Sequence, residues 1–181
     1  ESFKMYVPFS VARSVEINNQ NKSKDIANII LHIPYPVILI IVYKEQIQIN
    51  ISQKRLNVSD VSKLVVEEQY YTNWIDTNNL TELSSEFLSS LDSINHPFTN
   101  FKDFFTSLVK SIIAFNASEI SGKFESKEDT RVLLQDIKNI EAIIQDIKSK
   151  IQKETNFNDK VKLNIDLKTQ KDNLEKLKEK L

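Results

Sequence analysis

Cysteine is absent from all 181 residues, and Gly122 is the only glycine. Without thiols there can be no disulfide, no thiolate nucleophile and no cysteine-ligated zinc, and a reducing, cytoplasmic setting is the expectation. A lone glycine excludes Walker and dinucleotide-binding loops, which need several glycines for close backbone approach to phosphate. Histidine is almost as scarce. His32 and His96 share neither an HxxxH nor an HExxH spacing, so both read as structural side chains, and neither a metal nor another cofactor is expected. The chain also lacks an excess of either charge: 24 basic against 25 acidic side chains leave a net −1. No overall field attracts nucleic acid or anionic lipid, and such binding would need a local patch. The opening "ESFKMYVPFS" has neither an initiating Met nor the basic n-region of a signal peptide, and reads as the start of a fragment of a longer product. Asn-x-Ser/Thr sequons such as those at Asn50, Asn57, Asn79 and Asn116 then read as chance in an Asn-rich sequence.

What is present is hydrophobic patterning. From Ile26 to Tyr43 no residue carries a formal charge, a run that just reaches the roughly 18 to 20 residues of a membrane-spanning helix. Pro34 and Pro36 interrupt it, each removing a helical N–H, and Asn28 and His32 add polar cost. The run is therefore expected to be two elements of a water-soluble body. Ile26, Ile29, Ile30 and Ile33 make one helical stripe with Ser23 as N-cap. "VILIIV" is β-branched and apolar on both faces, the pattern of a central strand covered on each side. "QIQINIS" alternates, with Ile47, Ile49 and Ile51 on one face and Gln46, Gln48 and Asn50 on the other, as in a half-buried strand joined to its predecessor through a Lys44–Glu45 turn.

Flanking runs extend the sheet. Phe3, Met5 and Val7 alternate, as do Val15 and Ile17, and residues 63–75 are rich in β-formers. The Val15 strand, the Ser23 helix and the Val37 strand form a βαβ unit, which requires the two strands to be parallel. From Thr77 the period becomes helical. Leu80, Leu83, Phe87, Leu88 and Leu91 form one short amphipathic segment; Phe101, Phe104, Phe105, Leu108, Val109, Ile112 and Ile113 form a wider stripe, with Asn100 and Asp103 as start signals.

The last fifty residues carry two heptad seams. Leu133, Ile137, Ile140, Ile144, Ile147 and Ile151 step by four and three. Leu163, Leu167, Leu174, Leu177 and Leu181 make a second seam, with Gln170 at its polar core position. The two are out of phase by two residues, which no single stutter produces. "TNFND" lies between them: Asn156 and Asn158 tolerate a left-handed helix end and Asp159 opens a new helix. The expected fold class is α+β, α/β-like: a mixed sheet with a βαβ unit and packed helices over residues 1–120, a linker at 121–130 and an antiparallel coiled-coil hairpin at 131–181.

"IPYPVILIIVY", "YYTNWI" and "KETNFNDKVKLNIDL", in that order and spacing, resemble segments of the domain-of-unknown-function 4391 family of bacteria and archaea. The likeness runs from about Val15 almost to the end. It implies an accessory role beside helicases and methyltransferases of restriction-like, antiphage loci. No catalytic residues come with it.

Candidate sites follow from exposure and pattern. The hairpin seams, represented by Leu133, Ile137, Ile140, Ile144, Ile147, Ile151, Leu167, Leu174 and Leu177, are the candidate surface for a protein partner or a second copy. Tyr70, Tyr71 and Trp74 are a candidate aromatic platform, weighed against packing at a strand end. Lys160, Lys162, Lys168 and Lys171 are candidate phosphate contacts, weighed against a solvated flank carrying Asp159, Asp166 and Asp172. Glu16, Asp25 and Glu45 surround the sheet without the E-x-K pattern of a nuclease. A non-catalytic interaction module is the leading expectation, nucleic-acid binding the next, and a hydrolase completed by residues outside this fragment the third.

Overall fold

The computed structural model describes residues 12–33, 36–56, 64–125 and 129–181. The expected strand at Phe3, Met5 and Val7 and the Pro34 corner lie outside them. The chain divides into two compact units, Glu1–Ile112 and Ile113–Leu181.

In the first unit the polar stretch after β1 (Ala12–Glu16) turns through a short 3₁₀ segment, Gln20–Lys22, into α1 (Ser23–Ile30), and the chain returns as β2 (Ile38–Tyr43). β1 and β2 pair in parallel, Val15 opposite Ile41, as the βαβ reading requires. β3 (Gln46–Leu56) runs antiparallel to β2 through the two-residue Lys44–Glu45 turn. β4 (Leu64–Tyr71) and β5 (Ile75–Asp76) both pair with β3, so the order is β1-β2-β3-β4, with β5 beside β4 on the same edge. The uncharged run from Ile26 to Tyr43 thus divides into a helix end and a strand, and no helix among the described residues is long and apolar enough to cross a membrane.

α1 packs over β2 through a small residue. Ala27 is buried with Val37, Leu39 and Ile41, and Val15, Ile17, Ile26, Ile30 and Ile33 close around them. The helical face is therefore centred on Ser23 and Ala27, and Ile29, expected on the buried stripe, is 65% exposed. Ser23 is the first helical residue and not the cap; Asn19 accepts the Asn21 N–H and caps the preceding 3₁₀ turn. At the far end of the helix Lys54 Nζ donates to the Ile33 carbonyl at 2.6 Å, a cation where the helix dipole favours one. Burial holds this ammonium below the usual lysine range.

The sheet corrects two expectations about faces. β2 is fully buried only on the α1 side, at Leu39 and Ile41; Ile38, Ile40 and Val42 are half-buried. The polar face of β3 is not solvated. Gln48 and Asn50 lie opposite Ile41 and Leu39, on the α1 side, and Asn50 is buried. Its amide donates to Tyr70 O and accepts from Gln69, while Gln48 donates to Thr72 O. Between β4 and β5 the strand edge is completed by Thr72, whose N–H donates to Ile49 O at 2.9 Å and whose hydroxyl accepts the Ile49 N–H at 3.0 Å.

α2 (Glu82–Ser90) begins at Thr81, whose hydroxyl accepts the Ser84 N–H, and it buries Phe87. α3 (Phe101–Ser121) begins with a reciprocal cap: Asn100 Oδ1 accepts the Asp103 N–H and its amide donates to the Asp103 carboxylate. Before it lies His96, buried, its Nδ1 2.8 Å from the Ser107 hydroxyl and its ring edge-on to Phe104. Nε2 is buried without a hydrogen bond. Burial holds the imidazole below its ordinary range, and the Ser90 backbone and the Asp92 carboxylate pull the other way.

In the second unit α3 runs to Ser121 and stops at Gly122, whose φ of 74° is the left-handed conformation that ends helices at glycine. α4 (Thr130–Lys153) and α5 (Phe157–Lys178) then form the expected helical hairpin. Its corner differs in detail. Asn156 has extended backbone, φ −76° and ψ 124°, and acts as N-cap of α5, accepting the N–H groups of Asn158 and Asp159. Glu154 accepts those of Thr155 and Asn156.

Two measurements test these contacts. Thr72→Val keeps the side-chain shape but leaves the buried Ile49 N–H without an acceptor, so it should cost about 1–3 kcal/mol in chemical denaturation, whereas Thr77→Val, at an exposed site, should stay within about 0.5 kcal/mol. His96 is held neutral in the fold while the unfolded chain titrates near 6.5, so its contribution is intact above that pH and is lost as pH falls through it towards the lower folded value. Melting temperature should drop between pH 7 and pH 5, and His96→Gln should flatten that drop.

Candidate functional site

The hairpin seam is where the sequence expectation placed partner contacts. The structure spends most of it internally. Ile137, Ile144 and Ile147 are buried, and Leu133, Ile140 and Ile151 are half-buried along the face of α4 that meets α5. On α5, Leu167, Leu174 and Leu177 are half-buried, as are Leu163 and Gln170. Buried or half-buried within the chain, these residues are not a free docking face. Apolar side chains outside the seam reading stand in solvent: Phe157 is 77% exposed, Val161 41% and Ile165 61%. They recur every four residues, which places them on one stripe two residues out of register with the Leu163–Leu167 seam. α5 has no fully buried residue in its 22 positions.

The four lysines do not form one track. At about 100° per residue Lys160, Lys168 and Lys171 share one flank of α5, while Lys162 points away from them. Lys162 is also paired with Asp159 at 2.9 Å.

The aromatic platform expected at Tyr70, Tyr71 and Trp74 is split by the strand. Tyr70 pairs opposite Ile51 and Tyr71 opposite Asn50, so their rings leave opposite faces of β4. Tyr70 donates its hydroxyl to Glu68. Tyr71 and Trp74 pack against the α1 cluster, and burial raises the Tyr71 phenol above its ordinary range. Trp74 has instead a partner that sequence proximity does not suggest: Tyr43, edge-on at 6.2 Å.

Tyr43 belongs to a cleft of about 730 Å³ at the carboxyl ends of β1 and β2, bounded by Ile17 and Ile26 on its apolar side and by Glu16, Asn18, Lys22 and Lys44. Lys44 has φ 53°, a left-handed conformation that lysine rarely adopts, and its ammonium lies 5.3 Å over the Tyr43 ring. The Gln20 amide donates to Gln46 beside it. No glycine, histidine pair or carboxylate cluster marks this cleft in the sequence. Its one signal there is the bulky residue in a two-residue hairpin turn, where the primed turn types favour Gly or Asn.

The remaining candidates are dispersed. His32 is exposed, with Nδ1 3.2 Å from both the Asn28 and Ile29 carbonyls. Asp25 pairs with Lys22, and the backbone carbonyl of Glu45 receives Thr77. Among the described residues no group of three or more His, Asp or Glu is arranged to hold a metal ion.

No curated protein and no solved structure matches the chain. The profile of a family described as a domain of unknown function, DUF4391, matches residues 13–174 of the 181, and the chain belongs to that family.

Proposed function

We propose that this member of the DUF4391 family is a non-catalytic interaction module whose helical hairpin docks on a larger protein. The observation that carries the reading is α5, a helix with no fully buried residue that presents Phe157, Val161 and Ile165 to solvent on one stripe. Three large apolar side chains on one exposed helical face are the anchors of helix-in-groove recognition, in which the partner supplies the groove. Two features prepare the hairpin for docking. Its corner is capped on both sides, by Glu154 and by Asn156, and so holds the start of α5 rigid. Its internal seam is satisfied within the chain, so docking need not open it. An accessory position in an antiphage system, as the family resemblance implies, would make the partner a helicase or methyltransferase of that system. Nucleic acid is the second reading, through the exposed Lys160, Lys168 and Lys171, and it has the weaker footing because Lys162 is turned away and paired.

Val161→Asp combined with Ile165→Asp in the full chain tests the proposal. Both positions face solvent, so melting should stay within about 0.5 kcal/mol of wild type. Partners recovered by affinity capture from the native host should be lost. Ile144→Asp, which puts a charge in the seam, should by contrast unfold the hairpin and lower its helical signal. Recovery of the same partners by the double variant would overturn the docking role of this face, and binding to DNA or RNA that weakens steeply with salt would move the assignment to the lysines.

A further inference from the structure

The cleft lies in the first unit, and its chemistry points to a small molecule. Its location is that of ligand sites in α/β sheets, which lie outside the carboxyl ends of the strands. β1 and β2 are parallel neighbours joined through α1, so both end at this one side. The depression holds about 730 Å³ and is wide open to solvent, so it suits a small ligand that lies along its wall with one side left in water.

The lining restricts the occupant. Ile17, Ile26 and the Tyr43 ring provide an apolar and aromatic surface, and Lys22 and Lys44 provide two cations against the single carboxylate of Glu16. Among the described residues Lys44 has no carboxylate partner; its ammonium rests over the Tyr43 ring instead. Lys22 makes only a solvent-exposed pair with Asp25, at 3.4 Å. Both are available to an anion. The backbone contributes little to anion binding here, because no glycine is near by and the Asn19 side chain already takes up the Asn21 N–H at the start of the 3₁₀ turn. One ammonium shared with Asp25 and one without a carboxylate partner suit a singly phosphorylated ligand better than a polyphosphate, and Glu16 and Asn18 offer an acceptor and an amide to hydroxyls or ring edges. The left-handed backbone of Lys44 is an unfavourable choice for stability alone, since Asn or Gly would fill that turn without strain. Strain of this kind concentrates at ligand-binding positions.

We propose that the cleft binds a nucleoside monophosphate or a molecule of the same chemistry, with the phosphate between Lys22 and Lys44 and the planar ring against Tyr43. Trp74, the only tryptophan, sits edge-on to Tyr43 and reports occupancy by its fluorescence. The experiment titrates the full chain with adenosine monophosphate, with adenosine and with inorganic phosphate. Adenosine monophosphate should give a saturable change with Kd below about 1 mM, at least about tenfold tighter than either fragment. The binding should weaken as salt screens the lysines. Lys44→Asn keeps a residue tolerant of the left-handed turn, so it should melt like wild type while weakening the nucleotide at least about tenfold. Lys22→Ala, at an exposed position, should weaken it in the same sense. The proposal is overturned by any of three results: no saturable signal up to about 10 mM, inorganic phosphate binding as tightly as the nucleotide, or wild-type affinity in a folded Lys44→Asn chain.

Discussion

The first unit depends on closing the outer edge of β3. This strand is eleven residues long, lies in the middle of the sheet and has a partner on its inner side only as far as β2 reaches. Its outer edge is shared by two strands that do not meet, β4 from Asn50 onward and β5 at Gln46 and Ile47. Buried backbone groups without partners are costly, so the gap between the two must be filled. Thr72 fills it with one backbone donor and one side-chain acceptor, and Gln48 and Asn50 tie their amides to the same segment. This explains why a strand with an alternating polar pattern carries its amides into the interior. They work as part of the sheet.

That arrangement also shows where sequence periodicity succeeds and where it stops. The βαβ unit, the parallel pairing of its strands and the helical hairpin were legible because apolar spacing and proline positions reflect backbone geometry directly. The destination of the polar face of β3 was not. Alternation tells which residues share a side; it does not tell whether that side meets water, and Asn50 and Gln48 are compatible with both until the neighbouring segment is known. Ile29 fails for a related reason. Four isoleucines define a stripe, but the helix approaches the sheet most closely at its smallest residue, Ala27, and turns Ile29 outwards.

The candidate sites follow the same division. The seam of α4 and α5 is visible as a repeat, yet a repeat cannot distinguish contacts made within the chain from contacts kept for another. The residues left outside, Phe157, Val161 and Ile165, have the spacing of a helical face but interrupt no pattern, so nothing in the sequence sets them apart. Tyr70 and Tyr71 suggest one aromatic surface because they are adjacent in sequence, and adjacency in a strand is what separates them. The cleft beside Tyr43 leaves only the bulky Lys44 in a tight turn as a trace in the sequence, since its residues come from several elements and only the fold assembles them.

The hairpin corner has a kinetic consequence. Only Glu154, Thr155 and Asn156 separate α4 from α5, so closing this loop sacrifices little chain entropy, and the contacts nearest the corner join close neighbours in sequence. The β1–β2 pairing, by contrast, joins residues on either side of an entire helix. Local topology folds fast and distant pairing slowly. The helical pair should therefore zip up within the collapse time of the chain, while the parallel strands, with their long crossover, set the slow phase and are the part exposed to misassembly in the interval.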